Sequence, residues 1–161
     1  MDDTERKSRA LELWNEGVQL HLLRDLHGAI RLYSRSIETF PTAEAYTFRG
    51  WAYQAMGRLD DAIAECKHAI LIDPSFGNPY NDIGAYLMAK GELDEAIGWL
   101  EQATSAPRYE PRHFPNMNLG RLYEAKGMIA RAIAEFERAL SYEPNESSCL
   151  ATLERLRTML N

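Results

Sequence analysis

Four histidines, two cysteines and a few closely spaced acids are the residues of this chain that could carry out chemistry. His21, His27, His68 and His113 do not share metal-ligand spacing with the cysteines or carboxylates. No glycine-rich phosphate loop or nucleophile motif accompanies them. Asp60 with Asp61, and Glu92 with Asp94, fall where helices should begin, and there negative charge complements the helix dipole. Cys66 and Cys149 lie far apart, each inside an apolar helical pattern, which predicts buried structural thiols in a reducing compartment. The sequence therefore predicts no enzyme, no catalytic residue, no metal and no cofactor.

The elements that position these residues repeat. HGAIRLYSRSIETFP, LDDAIAECKHAILIDP, LDEAIGWLEQATSAP and IARAIAEFERALSYEP share an Ala-Ile core, a helical stripe and a terminal proline. Their alanines, Ala29, Ala62, Ala96 and Ala132, follow one another at intervals of 33, 34 and 36 residues. Each is preceded by a glycine 12 residues upstream: Gly17, Gly50, Gly84 and Gly120. Two antiparallel helices joined by a tight turn must cross closely, so each supplies a small residue at the crossing. Glycine inside a helix costs about 0.5–1 kcal/mol relative to alanine, so its recurrence at one phase implies a compensating gain in packing. Leu13, Tyr46 and Tyr80, then Leu20, Tyr53, Leu87 and Tyr123, fill the remaining inner positions. Ala69, Ala103 and Ala139, with Ser36, keep the second helix small where the next pair stacks. Pro41, Pro74 and Pro144 stop that helix by disfavouring helical geometry in the residue before them.

This pattern resembles the tetratricopeptide repeat, a helix-turn-helix unit of about 34 residues. The resemblance implies an all-α, right-handed superhelical solenoid of four repeats at 10–42, 43–76, 77–112 and 113–146. The second repeat matches best, with Cys66 where the family prefers an aromatic. The first departs at Glu16 and lacks the turn glycine that Gly57, Gly91 and Gly127 supply. The third is long, ending in SAPRYEPRHFP with Pro107 displaced. After Pro144, residues 147–161 form a capping helix, with Asn145 or Ser147 as its cap and Leu150, Leu153, Leu156 and Leu160 on its apolar side. Residues 1–9 are expected to be charged and frayed.

In the family, first helices line a concave groove, and the positions carried over here mix large anchors with amides. They include His21, Glu44, Thr47, Asn78 and Glu124 beside the leading candidates. Trp14, Phe48, Trp51, Met88, Phe114 and Met117 form an expected binding stripe, because exposed aromatics and methionines are characteristic of interface cores. Asn15, Asn81 and Asn118 offer a donor and an acceptor each to an extended peptide backbone. Asp82 and Arg121 complete the groove candidates. Family members that bind chaperone tails hold a terminal carboxylate with lysine, asparagine and arginine. Trp14, Val18, Phe48, Asn78 and Asp82 occupy the corresponding places, so the resemblance argues against that ligand.

Charge points the same way. Eighteen Lys and Arg against 24 Asp and Glu leave a net charge of −6, which disfavours nucleic acid. No stretch has the apolar length of a membrane span, and a cytoplasmic location is expected. The expected partner is another protein or peptide, held in the groove without catalysis. The alternative is a structural assembly subunit, a homodimer or a dock for a folded protein, using the N-terminal repeat face or the lengthened third repeat. A similar proline-bounded extension occurs in tetratricopeptide proteins of the pilus-assembly type.

Overall fold

A computed structural model describes residues 1–161. Nine helices follow one another: α1 (Asp3–Leu22), α2 (Leu26–Thr39), α3 (Ala43–Ala55), α4 (Leu59–Ile72), α5 (Asn78–Ala89), α6 (Leu93–Ser105), α7 (Phe114–Ala125), α8 (Ile129–Tyr142) and α9 (Ser147–Met159). They form four antiparallel pairs stacked as a solenoid, with α9 packed on α8. The odd-numbered helices α1, α3, α5 and α7 also touch one another in series and so share one face.

The small-residue crossing has a more specific geometry than glycine on alanine. A side chain on Gly17, Gly84 or Gly120 would collide with Tyr33, Leu100 or Phe136, one turn beyond each repeat's alanine. A β-carbon on Gly120 would lie 2.6 Å from the Phe136 ring. In the second pair the counterpart is Cys66, which is smaller. There the helix backbones come closer, and the same β-carbon would meet the Ala62 carbonyl at 3.0 Å. The four alanines are wholly buried. Ser36 also sits at a buried contact, where its hydroxyl donates to the Ala10 carbonyl at 2.6 Å.

Gly57, Gly91 and Gly127 turn each pair with φ of +79°, +81° and +75°. The first pair adopts the same left-handed turn without glycine, at Arg24, with φ 68°. Arg49 on α3 grips Glu65 on α4 through two hydrogen bonds of 2.7 and 3.0 Å and reaches Ser34 on α2 at 3.1 Å. These bonds join consecutive pairs.

Both ends differ from expectation. The N-terminal residues are not frayed, because helix α1 begins at Asp3 behind a capping box. Asp2 accepts from the Glu5 amide at 2.8 Å and donates its own amide to the Glu5 carboxylate at 2.9 Å. At the other end Glu146, not Asn145 or Ser147, caps α9. Cys149, Leu153 and Leu156 face the core, while Leu150 and Leu160 are exposed. A helix only 13 residues long that packs mainly on α8 has one narrow buried stripe, which leaves no room for all four leucines.

Two substitutions test this packing. Arg24→Gly should raise stability by about 0.5–1 kcal/mol, since a left-handed residue with a β-carbon is strained. Ala132→Leu should lower it by about 1–3 kcal/mol through overpacking. Chemical denaturation reads both, and midpoints unchanged in both variants would contradict the turn and crossing geometry.

Candidate functional site: the concave aromatic hollows

The shared face of α1, α3 and α5 is covered at one end by the long segment between α6 and α7. This segment folds back across the concave side instead of projecting from it. Arg108 forms a short parallel bridge with Phe76: its amide donates to the Ser75 carbonyl at 3.0 Å, and its carbonyl accepts from the Gly77 amide at 2.9 Å. The Arg108 guanidinium lies 4.2 Å from the centre of the Phe76 ring. It pairs with Asp73 at 2.7 Å and Glu44 at 3.0 Å; the Ser75 hydroxyl, and after it this guanidinium, hold the Asp73 carboxyl below its ordinary range. Tyr109 lies against Gly77 so closely that a β-carbon there would be 2.2 Å from its ring. The tyrosine is buried as a result.

Two adjoining hollows result. One, of about 310 Å³, is lined by Thr47, Phe48, Trp51, Asn78, Asn81, Asp82, Tyr109, Pro111 and Phe114. The other, of about 560 Å³, is lined by Leu11, Trp14, Glu44, Phe48, Phe76, Asn78, Pro107, Arg108, Tyr109 and Glu110. Phe48, Asn78 and Tyr109 form the wall they share.

The aromatic residues brace one another. Phe48 meets Trp14 edge-on at 5.2 Å and Trp51 edge-on at 5.6 Å. Trp51 stacks on His21 at 3.8 Å, and His21 contacts the Tyr33 hydroxyl at 3.2 Å. His21 is thus a buried support beneath the tryptophan and not itself part of the surface; burial lowers its pKa. The indole N–H of Trp14 is enclosed without an acceptor. That ring is therefore held by apolar packing. Trp51 and Phe114 remain 37% and 41% exposed.

Of the other expected groove residues, Asn81, Asn118 and Arg121 form a chain. Arg121 donates to the Asn118 side-chain oxygen at 3.0 Å, and the Asn118 amide donates to Asn81 at 2.9 Å. Each amide thus spends part of its hydrogen-bonding capacity inside the protein. Asp82 lines the smaller hollow, where burial pushes its pKa up to about 7, with no hydrogen bond or opposite charge to offset it. Five of the leading groove candidates line neither hollow: Asn118 and Arg121 of the hydrogen-bonded chain, and three others. Met117 is 3% exposed and belongs to the main core. Met88 packs against that core and lines neither hollow. Asn15 is exposed and lines neither. Both methionines are turned into the seams between stacked helix pairs, where a flexible side chain fills irregular space.

Tyr109 and Pro111 in the smaller hollow, and Phe76, Pro107, Arg108, Tyr109 and Glu110 in the larger, are the lining residues outside the expected groove positions. The signal for Tyr109 is Gly77, whose missing side chain makes room for its ring, but that pairing spans two loops and has no periodicity. Elsewhere, a polar hollow of about 360 Å³ between α6, α7 and α8 contains Glu135. That carboxylate is already held by Asn116, at 2.9 Å, and by Arg138. No helix is long and apolar enough to cross a membrane.

The tetratricopeptide-repeat family model matches residues 43–76, and a second model of the same repeat matches 115–146. The small glutamine-rich tetratricopeptide repeat-containing protein 2 of Mycosarcoma maydis is 34% identical over 91 residues, which are 56% of this chain and 26% of that protein. Its namesake in Saccharomyces cerevisiae is 33% identical over 97 residues, 60% of this chain and 28% of that protein. This chain thus spans about a quarter of the length of these curated relatives. Among solved structures, Pseudomonas aeruginosa pilF superposes with a TM-score of 0.88 at 21% identity, over 94% of this chain and 69% of that one. YrrB, a TPR protein with an unusual peptide-binding site, superposes with a TM-score of 0.68 at 18% identity, over 93% of this chain and 77% of that one. At these identities the superpositions show the fold.

The enclosure of Asp82 gives a pH test. An unfolded aspartate titrates near 3.8, so the folded chain binds this proton more tightly. Its stabilising contribution is full below pH about 4 and is lost as pH rises to about 7. The stability of the wild type should therefore fall relative to Asp82→Asn across that window, by on the order of 2 kcal/mol. Parallel stability curves for the two proteins would show that Asp82 is well solvated.

Proposed function

We propose, from the premise that this chain is a tetratricopeptide-repeat protein, that it is a non-catalytic adaptor holding an extended segment of another polypeptide in its concave hollows. Tetratricopeptide repeats in general mediate protein–protein interaction, and the finer reading concerns where this one does so. The observation that carries it is the pair of exposed rings, Trp51 on α3 and Phe114 on α7, beside one hollow that also contains amide and carboxyl groups. Large aromatic rings with open apolar surface and polar neighbours are the usual anchors of a protein interface. Asn78 and the unspent amide hydrogens of Asn81 and Asn118 can meet a bound backbone, which gives affinity independent of the segment's side chains.

The adaptor reading is favoured over self-assembly through the third repeat. The SAPRYEPRHFP segment is occupied by contacts within the chain, including the Arg108 ion pairs and the Tyr109 contact with Gly77. Sedimentation of the purified protein separates the two, since a stable dimer would favour assembly.

The groove is tested by titration calorimetry with peptides selected from a random library. Trp51→Ala and Phe114→Ala should each weaken binding by roughly 30-fold, corresponding to the loss of an aromatic anchor. Their helical circular dichroism should be unchanged, because neither ring is part of the main core. Wild-type affinity in both variants would move the binding surface away from these hollows.

A further inference from the structure

The smaller hollow combines two features that an apolar peptide pocket does not need. Its walls are aromatic, formed by Phe48, Trp51, Tyr109 and Phe114, and it contains the Asp82 carboxyl group. Asp82 lies on α5, between the two helices that carry Trp51 and Phe114. No side chain of the protein donates a hydrogen bond to it or offsets its charge. Asp82 is half-buried, and its oxygens, unlike the Trp14 indole N–H, are not sealed off, so the carboxyl is open to a ligand while its surroundings, by partial desolvation, raise its pKa.

The contrast with the rest of the molecule is direct. Other enclosed or partly enclosed acids are satisfied from within: Glu65 by Arg49, Asp73 by Arg108 and Ser75, and Glu135 by Asn116 and Arg138. No cation of the protein pairs with Asp82. Arg121 donates to Asn118, and Arg108 is held by Glu44 and Asp73. Charge complementarity and ring geometry then select the same kind of ligand. A cation over aromatic faces is attracted by their quadrupoles, and it would supply the charge that Asp82 lacks.

We propose that this hollow is a specificity pocket for an arginine side chain of the bound polypeptide, with Asp82 as its counter-charge. Lysine would also bring a positive charge. The planar guanidinium is the better match, because it stacks on aromatic faces while presenting a two-pronged donor edge to both carboxylate oxygens. The Asn78 side-chain oxygen, at the same wall, can accept one of the remaining N–H groups. The hollow's volume of about 310 Å³ leaves space for such a side chain with water beside it. This assignment rests on the reading of the concave face as a polypeptide-binding groove and adds the chemistry of one residue of the ligand.

The test uses the full chain and a random-peptide library displayed on phage, selected on wild type and counter-selected on Trp51→Ala so that groove binders are retained. Selected peptides should share one arginine. In solution, replacing that arginine with citrulline, its uncharged isostere, should weaken binding by roughly 30-fold. Replacing it with lysine should weaken binding less. Asp82→Asn should reduce affinity for the arginine peptide while leaving that for the citrulline peptide unchanged, so that the two peptides bind the variant almost equally. Groove-binding peptides without a shared arginine, or an arginine preference that survives in Asp82→Asn, would overturn the pocket assignment and leave the groove reading standing. Equal binding of lysine and arginine peptides would overturn the choice of guanidinium. A library that yields no peptide sensitive to Trp51→Ala would remove the groove and the pocket together.

Discussion

Everything in this molecule depends on how closely two helices of a pair can approach at their crossing. Gly17, Gly84 and Gly120 leave space that is filled by Tyr33, Leu100 and Phe136 from the partner helix. Where that partner is the smaller Cys66, the backbones themselves move together against Gly50. In either form the result is a pair thin enough to stack on the next, so that the odd-numbered helices come into mutual contact along one face. The aromatic residues of α1 and α3 meet only because of that spacing. Trp14, Phe48 and Trp51 would otherwise be isolated rings on separate helices.

The concave face is built in two different ways. Its floor comes from the repeats: Phe48, Trp51, Asn78 and Asp82 stand at positions on α3 and α5 that recur with the repeat period. One of its walls comes from the single irregular segment, whose Arg108 and Tyr109 are joined to the loop before α5 by two backbone bonds, a ring against a glycine and the ion pair with Asp73, and to α3 by the ion pair with Glu44. Regular packing thus supplies the rings and polar groups, while the exception supplies the enclosure. That division explains why Asp82 is half-buried and partly desolvated, which raises its pKa, even though a carboxylate on the open face of a solenoid would be solvated.

The parts legible in the sequence are those that recur. Glycine and alanine at constant separation, the turn glycines and the helix-stopping prolines sufficed to place four helix pairs, and the leucine spacing after Pro144 placed a ninth helix. The aromatic members of the groove, Trp14, Phe48, Trp51 and Phe114, could be placed by the same phase. Met88 and Met117 could not, because the outward direction at a repeat position depends on the rotation between stacked pairs, which periodicity does not encode. Arg24 shows the opposite limit. The first repeat lacks the turn glycine, yet the same left-handed conformation is found there at an arginine. The N-terminus was obscured by composition: a run of charges suggests a solvated strand of chain, but Asp2 and Glu5 are spaced to start a helix. The position of Tyr109 depends on a contact between two loops, and no local pattern announces it.

A solenoid of stacked pairs behaves as a spring, since small rotations at every joint add up along its length. The bridge between Phe76 and Arg108 alters that elasticity at one place. It links the start of the third pair to its end, so the third pair cannot tilt at one boundary without pulling on the other. Compliance is thereby shifted toward the two ends of the array, and the central curvature, on which the shape of the hollows depends, is braced like the arc of a bow by its string. The added length of the third repeat is thus a mechanical element: it turns the middle of an extensible coil into a frame of set width.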